Sequence, residues 1–335
     1  MKALTPEQIA NVVERLPTVI RDEPMSKHTN FRIGGPARLY VVANDTDALV
    51  NVVRVARDAG VPWTVFGGGS NILVSDDAYE GLMIQAALRG MNVEGASVTC
   101  EPGVITAFAA RMSADAGLTG FEWAVGVPGT IGGAVYGNAG CFGGEMKDVI
   151  ESVDAYRVAD DQRLTYTKVD CRFGYRESRF KHEPHLILGC TLRLAVGEKD
   201  AARRRMVEII ALRKAKQPLE QSSAGCVFKN FEFSDESALE ILRRTLRLRS
   251  GQAVEVPAEM LAAKRLSAGW LVDQVGMLGK TVGGVAVSDK HGNFVVNAGG
   301  GRAQDVIALM SVIKMKVRDE LGIFLEDEVQ LVGFE

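Results

Sequence analysis

Glycine is concentrated in two segments, residues 67–71 and 126–144, where it is mixed with small and polar side chains. A glycine inside regular structure costs roughly 0.5–1 kcal/mol relative to alanine, so such segments are tolerated where a ligand or another backbone must approach closely. Their unobstructed backbone N–H groups can line a concave site for an anion. The two segments therefore predict a nucleotide or cofactor site, and a pair of structural turns is the alternative. Hydrogen-bonding side chains are available there from Ser70, Asn71, Thr130 and Asn138.

The elements around these segments predict an α/β scaffold. Residues 38–44 and 61–66 have strand character, and residues 45–60 between them have helical periodicity that stops at Gly60. This unit delivers the first glycine segment to the end of a strand, where ligands of α/β proteins tend to bind. A helix is expected over 104–117, just before the second segment. Because neither segment shows the G-x-G-x-x-G spacing ahead of a helix, a Rossmann site is disfavoured.

The composition is that of a folded globular protein, with 335 residues, 47% hydrophobic and 24% charged. The net charge of −3 gives no overall basic field and disfavours a nucleic-acid partner. Five irregularly spaced cysteines form neither a disulfide framework nor a zinc motif, so no metal is expected. No apolar run approaches the ~20 residues of a membrane span, and residues 1–16 form an amphipathic helix, not a signal peptide. We expect a cytoplasmic monomer without a membrane partner.

The C-terminal part alternates helices with β segments after a charged helix at 201–216. Helices are expected over 236–248, 258–275 and 303–321, a hairpin around 289–293, and a last strand over 323–334. Alternation along that strand would put Glu326 and Glu328 on the same face, so periodicity cannot choose between them.

Seven short motifs are spread over nearly the whole chain. They are FRIGGPA (31–37), GGGSNILVS (67–75), VPGTIGGAVYGNAGCFGGE (127–145), CRFGYRESRFK (171–181), SAGCVFKN (223–230), SAGWLVDQVG (267–276) and LEDEVQLVG (325–333). In this order they resemble the UDP-N-acetylenolpyruvoylglucosamine reductase family, the flavoenzymes of an early step in peptidoglycan precursor synthesis.

The resemblance implies an α+β fold. A non-Rossmann FAD-binding region of the vanillyl-alcohol-oxidase (PCMH) type would form two subdomains, followed by a C-terminal α+β substrate-binding domain. The expected division is subdomain 1 over 1–66, joined by the C-terminal strand 326–335, subdomain 2 over 67–200, and the substrate-binding domain over 201–325.

The resemblance also implies the chemistry. NADPH would reduce a non-covalently bound FAD, and hydride from flavin N5 would pass to the vinyl carbon of UDP-N-acetylglucosamine enolpyruvate, giving UDP-N-acetylmuramate. Such a site must stabilise charge on the substrate carboxylate and protonate the neighbouring carbon. By the family motifs, Arg176 supplies a planar cationic fork, Cys226 the proton, and Glu328 a carboxyl beside the substrate carboxylate.

Further contacts follow from the same motifs. FAD would be held by Thr29, Asn30, Gly67, Gly68, Gly69, Ser70, Asn71, Pro128, Gly129, Thr130, Gly132, Gly133, Asn138 and Gly140. The UDP-sugar, a small-molecule substrate, would be contacted by Tyr175, Lys216, Lys229, Asn230 and His291, with Lys216 and Asn230 favoured for the diphosphate.

Three positions depart from the family pattern. Cys226 stands where the family usually has serine, and a thiol there is expected to be open to oxidation and alkylation. Phe231 replaces the proline that commonly follows the FKN motif. Only a short segment joins Arg176 to the strand around 186–194, so the chain resembles the short-loop branch, which lacks an inserted substrate-covering tyrosine and has a more open site.

Two other interpretations stay open from the sequence. One is an oxidase of the same fold, whose FAD is attached covalently, for which His28 is a weak candidate. The other is a non-catalytic nucleotide-binding protein, which would have no need of Arg176, Cys226 and Glu328 together.

Overall fold

The computed structural model describes residues 2–233, 240 and 255–334. Most of the helix expected over 236–248 lies outside these residues. The α-helices of the described part are Pro6–Arg15, Thr46–Asp58, Thr106–Asp115, Ile131–Tyr136, Met146–Val149, Lys199–Lys216, Ala258–Ala262, Ala268–Gln274 and Ala303–Leu321. Short 3-10 helices are Met25–Lys27, Glu122–Gly126 and Arg179–Lys181.

The N-terminal layer is a four-stranded sheet. Its strands lie in the order Ile20–Pro24, Pro36–Ala43, Tyr79–Ala86 and Trp63–Phe66. The last three run parallel, and helix Thr46–Asp58 makes the crossover between two of them. That helix begins where the Asp45 carboxylate accepts from the backbone N–H of Ala48, and its apolar face is buried on the sheet. The predicted strand–helix–strand unit is confirmed.

The middle layer is a five-stranded antiparallel sheet that supports the second glycine segment. Its strands lie in the order Gln162–Thr167, Ile150–Arg157, His185–Arg193, Ser97–Cys100 and Met91–Glu94. The glycine segment is not all loop, because Ile131–Tyr136 within it is helical. Ile131, Ala134 and Val135 are buried at helical spacing, and this burial outweighs the low helix propensity of Gly132 and Gly133.

The C-terminal layer is an antiparallel sheet with strands in the order Ser223–Cys226, Phe294–Asn297, Val285–Val287 and Thr281–Val282. The hairpin and the helix at 303–321 are confirmed. The continuous helix expected over 258–275 is wrong. Lys264 has a φ of +49°, which interrupts the helix, and strand Arg265–Leu266 then pairs with Phe231–Glu232 before a new helix begins.

The last strand is shorter than the sequence predicts. Only Gln330–Val332 is strand, parallel to Ile72–Val74, while Asp327 makes an isolated bridge to Phe228. Residues 327–332 thus pair with two different segments of the chain. For this reason their side chains do not alternate between two faces as they would in one continuous strand. The side chain of Glu326 is 75% exposed and that of Glu328 only 17%, so the two carboxylates do not share an environment.

The sheet topology bears on the first of the expected domain boundaries. The N-terminal sheet includes Tyr79–Ala86, so a boundary at residue 66 would cut it, and Phe31, Ile33 and Leu73 belong to the C-terminal core. We propose the same three-part division with the first boundary moved to the irregular segment 87–90 that follows Ala86. Two further two-stranded sheets pair Gly140–Cys141 with Gly144–Glu145 and Leu118–Thr119 with Ala195–Val196.

Over 2–233 and 255–334, none of the helices combines the length and apolar character of a bilayer span.

Candidate active site

Arg176 is presented by a tight turn. Gly174 and Glu177 exchange backbone hydrogen bonds of 3.0 and 3.2 Å, which leaves Tyr175 and Arg176 at the tip. Arg176 has a φ of +56°, a left-handed conformation that costs a non-glycine residue about 1–2 kcal/mol. From there its Nε donates to Glu328 Oε1 at 2.8 Å and its Nη2 donates to the carbonyl oxygen of Gly140 at 2.9 Å.

The surroundings keep Arg176 charged. Burial lowers the pKa of the guanidinium, but the Glu328 carboxylate opposes this strongly enough that the pKa is raised overall. Two of the three guanidinium nitrogens, Nε and Nη2, bind protein groups. The sequence analysis expected the whole guanidinium to be available to the substrate. Nη1 has no acceptor among the residues that the structure describes, and it remains for an anionic ligand.

Cys226 and Glu328 are brought together by backbone pairing. Cys226 ends strand Ser223–Cys226, opposite Phe294. The backbone N–H of Glu328 donates to the carbonyl oxygen of Val227, the next residue, at 2.9 Å. The buried amide of Asn293 fixes the same segment, because its Oδ1 accepts from Phe228 N at 2.9 Å and its Nδ2 donates to Phe228 O at 2.8 Å.

The thiol of Cys226 is held in its protonated form. Burial and the negative charge of Glu328 raise its pKa to about 12, while the positive charges of Arg176 and Arg213 oppose the rise. The thiolate is the form that reacts with oxidants and alkylating agents, and it is scarce at neutral pH under these conditions. Although the residue is half-buried rather than fully enclosed, the raised pKa argues against the expected ease of alkylation and suits the group to donating a proton.

The two glycine segments face each other and form one wall with residues 28–30. A Cβ on Gly67 would lie 2.1 Å from Thr130 Oγ1, and one on Gly129 would lie 2.4 Å from Ser70 Oγ. Gly69 has a φ of +62°, and a Cβ there would meet the carbonyl oxygen of His28 at 2.1 Å. Glycine is therefore required at these three positions for the loops to approach each other.

Hydrogen bonds between the loops stabilise this glycine wall, and one buried hydroxyl in it has no hydrogen-bond partner among the described residues. Asn30 N donates to Gly69 O at 3.0 Å, and Ser70 Oγ donates to Pro128 O at 3.3 Å. Thr130 is 8% exposed, and its Oγ1 has no hydrogen-bond partner among the described residues. A buried hydroxyl without a partner is unfavourable, so the wall fits a polar ligand that supplies the missing bond.

Other residues expected to contact a cofactor have partners within the protein. The side chain of Asn138 donates to Glu145 Oε2 at 2.6 Å and Gly174 O at 2.7 Å, and accepts from Lys147 N at 2.9 Å. Thr29 Oγ1 donates to Ile33 O at 2.9 Å. Asn138 and Thr29 thus hold the loops in place.

Of the other residues predicted to contact the cofactor, some are packed against the protein and others are exposed. A Cβ on Gly132 would lie 2.8 Å from Pro102 Cβ, so this glycine is needed for packing. Gly133 is exposed, and Gly140 presents its carbonyl to Arg176. Asn71 Nδ2 donates to the backbone carbonyl of Glu328 at 3.2 Å, which joins the glycine wall to the charged pair.

Tyr175 and Asn230 are in direct contact. The Tyr175 hydroxyl accepts from Asn230 N at 3.2 Å, and Asn230 Oδ1 accepts from Ala268 N at 3.0 Å. The guanidinium of Arg176 lies 5.0 Å and that of Arg265 4.1 Å from the centre of the Tyr175 ring. The tyrosine therefore connects the turn that presents Arg176 to the C-terminal part of the chain.

The two lysines predicted for the diphosphate differ. Lys229 Nζ is paired with Glu177 Oε1 at 2.9 Å and with Glu326 Oε2 at 3.4 Å. Lys216 is exposed at the end of helix Lys199–Lys216, with no ion pair to another residue of the described part. Lys216 is the more available cation of the two.

His291 is packed as a structural residue. Its Nδ1 accepts from Asn293 N at 3.2 Å, its ring lies 5.0 Å from that of Phe294, and burial lowers its pKa. A Cβ on Gly269 would meet the ring at 2.7 Å. Its position supports the Asn293 clamp, which the sequence did not predict.

Arg213 is a half-buried arginine that the sequence analysis did not single out. Its Nε donates to Gln217 Oε1 at 2.8 Å, its pKa is lowered by burial, and its charge acts on both Cys141 and Cys226. The helix that carries it is charged along its whole length, so nothing in the pattern separated this arginine from solvated ones. A Cβ on Gly126 would lie 3.3 Å from Arg213 Cδ. The glycine at position 126 was therefore the one sequence feature that could have indicated a side chain packed there.

The fold and the glycine wall define a non-Rossmann flavoprotein. Residues 37–164 match the model of the FAD binding domain, and residues 217–332 match that of the C-terminal domain of UDP-N-acetylenolpyruvoylglucosamine reductase. The chain belongs to the UDP-N-acetylenolpyruvoylglucosamine reductase family, which makes it an oxidoreductase that binds FAD, and the α+β fold predicted from the motifs is confirmed.

Relatives cover almost all of the chain. The enzyme of this name from Heliobacterium modesticaldum is 36% identical over 94% of this chain and 90% of its own length. That from Caldanaerobacter subterraneus subsp. tengcongensis is 32% identical over 96% of this chain and 98% of its own length. The crystal structure of the Thermus caldophilus reductase is 30% identical, covers 94% of this chain and 98% of its own, and superposes with a TM-score of 0.71.

Proposed function

We propose that this enzyme uses NADPH to reduce UDP-N-acetylglucosamine enolpyruvate to UDP-N-acetylmuramate, in peptidoglycan precursor synthesis. The observation that carries the proposal is the half-buried Arg176–Glu328 pair beside a thiol held protonated at Cys226. A cation that remains charged and an acid that retains its proton are the groups needed to reduce a double bond next to a carboxylate.

The residues divide the work as follows. The glycine wall would hold FAD, which would supply hydride transfer from NADPH to the terminal vinyl carbon. Arg176 Nη1 binds the substrate carboxylate and stabilises the charge that moves onto it, while Glu328 keeps the guanidinium in place through Nε. Cys226 transfers its thiol proton to the neighbouring carbon, and the thiolate that remains is stabilised by Arg176 and Arg213 until water reprotonates it.

We also assign the binding groups on this basis. The backbone of residues 67–69, with Ser70 and the unpartnered hydroxyl of Thr130, holds the cofactor, while Thr29, Asn71 and Asn138 hold the loops. Lys216 and Asn230 bind the diphosphate, and Tyr175 lies against the substrate. We also propose that the enzyme acts as a monomer.

Non-covalent FAD is favoured over covalent attachment through His28. Its Nε2 lies 3.0 Å from Glu23 Oε1 and its Nδ1 lies 3.3 Å from the Tyr40 hydroxyl, so both ring nitrogens are engaged. An oxidase with a histidyl-linked flavin would need one of them free. Acid precipitation that leaves a colourless pellet and a yellow supernatant is the expected result.

An anaerobic experiment tests the proposed reaction. NADPH should bleach the visible flavin band of the purified enzyme, and the enolpyruvyl nucleotide should then restore it stoichiometrically without oxygen. Oxygen is admitted in a parallel cuvette as the control for the oxidase. Recovery of the band with oxygen alone, and none with the nucleotide, would reject the reductase in favour of the oxidase. A preparation that NADPH cannot bleach would point to the nucleotide-binding protein.

A further inference from the structure

A lysine lies directly behind the turn that presents Arg176. Lys181 Nζ donates to the backbone carbonyl oxygen of Arg176 at 2.6 Å, and its side chain is only 13% exposed. Lys181 ends the 3-10 helix Arg179–Lys181, which follows the turn along the chain. We propose that Lys181 is a positioning residue for the reduction, acting through the orientation of the peptide that follows Arg176.

The conformation of Arg176 explains why such a residue is needed. The turn from Gly174 to Glu177 has two central residues, and the second has a φ of +56°. Glycine or asparagine is favoured at such a position, because other side chains are strained there. Rotation of this peptide out of the left-handed region would carry the guanidinium away from Glu328 and Gly140. A hydrogen bond from a charged donor is comparable in size to the strain, so it can decide the conformation.

The contacts of Lys181 single out the carbonyl as its partner. The nearest carboxylate oxygen, on Glu177, is 4.0 Å from Nζ, and that carboxylate is hydrogen-bonded to Lys229 at 2.9 Å and His182 at 3.0 Å. The Tyr136 ring centre is 5.9 Å away. Burial lowers the pKa of the Lys181 ammonium, and Glu177 opposes that effect. The closest contact of the Lys181 ammonium is therefore the Arg176 carbonyl oxygen. This contact indicates that Lys181 fixes the orientation of that carbonyl.

The first and last residues of the turn are held independently of Lys181. Asn138 Nδ2 donates to the carbonyl oxygen of Gly174 at 2.7 Å, and Lys229 holds the Glu177 side chain. Loss of Lys181 alone should therefore leave the turn folded and free only the peptide after Arg176. This separation allows its effect on the reaction to be measured without loss of the fold.

The test rests on the proposed function and measures the two half-reactions separately by stopped flow. Lys181→Met should slow flavin reoxidation by the enolpyruvyl nucleotide by about 10- to 100-fold, because a displaced guanidinium binds the carboxylate poorly, and should change reduction by NADPH by less than about 3-fold. Lys181→Arg, which keeps a cationic donor, should recover part of the loss. Lys199→Met is the control, since Lys199 is an exposed lysine 3.9 Å from Asp115.

A double-mutant cycle with Arg176→Ala separates positioning from a general structural role. In that background Lys181→Met should change the reoxidation rate by less than about 2-fold, because the group it positions is gone. Equal effects in both backgrounds, or a parallel fall in both half-reactions, would overturn the positioning role. If Lys181→Met does not retain FAD, Lys181→Gln, which keeps a neutral donor, enters the same cycle with the same criteria. A wild-type enzyme that fails to respond to the nucleotide would reject the proposed function instead.

Discussion

The Nε of Arg176 donates to Oε1 of Glu328 at 2.8 Å, across 152 positions of the sequence. The two side chains are 21% and 17% exposed, so each would be left as a largely buried charge if the other were removed. The pair links the turn after Gly174 to the C-terminal segment. The same contact therefore compensates two partly buried charges and joins two distant parts of the chain.

Arg176→Lys should lower kcat/KM for the enolpyruvyl nucleotide by about 100-fold or more, because one ammonium cannot bind Glu328, the Gly140 carbonyl and a carboxylate together. Steady-state kinetics at saturating NADPH measure this. Arg172→Lys is the control, since the Arg172 side chain is 68% exposed and pairs with Glu183. Wild-type kinetics for Arg176→Lys would remove this arginine from the site.

Cys226→Ser should retain reoxidation of the flavin by the nucleotide within about 10-fold, whereas Cys226→Ala should lose about 10³-fold, because only serine offers a proton there. Reduction by NADPH should be unchanged in both variants. Cys100→Ala serves as a matched control, since burial also raises the Cys100 pKa to about 12, but Cys100 lies in the middle sheet. If both half-reactions of Cys226→Ala fell equally, the residue would be structural.

Alkylation of the native protein at pH 8 should be slow at Cys226. A rise of its pKa from the ordinary thiol value to about 12 means that the group stays neutral throughout the physiological range. The reactive thiolate fraction is then reduced roughly 10³-fold relative to an unperturbed thiol. Iodoacetamide labelling followed by peptide mass spectrometry measures this, with urea-unfolded protein as the reference. Labelling of native Cys226 at the unfolded rate would contradict the raised pKa of the thiol.

Thr130→Val should act in opposite directions on the apoprotein and on cofactor binding. The apoprotein should melt at the same or a higher temperature, because an unpartnered buried hydroxyl is removed, while the Kd for FAD should rise about 10-fold. Fluorescence titration and calorimetry measure the two effects. In the control Thr64→Val, a hydroxyl bonded to Tyr79 at 2.8 Å is lost, so the melting temperature should fall without a change in FAD affinity. An unchanged Kd for Thr130→Val would place that hydroxyl outside the cofactor site.

Lys216→Met should raise the KM for the UDP substrate about 10-fold with little change in melting temperature, since Lys216 is exposed at a helix end. Lys229→Met should instead lower the melting temperature, because it leaves Glu177 without its closest cation. Kinetics and calorimetry on both variants provide the comparison. The reverse pattern would exchange their roles.

Sequence reasoning reached the family and the regular elements because those depend on local patterns. The helices Pro6–Arg15, Thr46–Asp58 and Ala303–Leu321 are set by periodicity and capping. It failed at residues 258–275, where Lys264 and a short strand pairing interrupt a helical pattern. The helix at Ile131–Tyr136 was missed because burial overrides glycine propensity there.

The sequence by itself determined which residue types are available for the reaction and that glycine must line two loops. Only the tertiary structure decided that Glu328 binds Arg176 directly, that Arg213 acts on Cys226, and that Thr130 carries an unpartnered hydroxyl. The physical reason is that burial, charge and pKa arise from contacts between residues far apart in the chain. A one-dimensional pattern records the groups but not the distances between them.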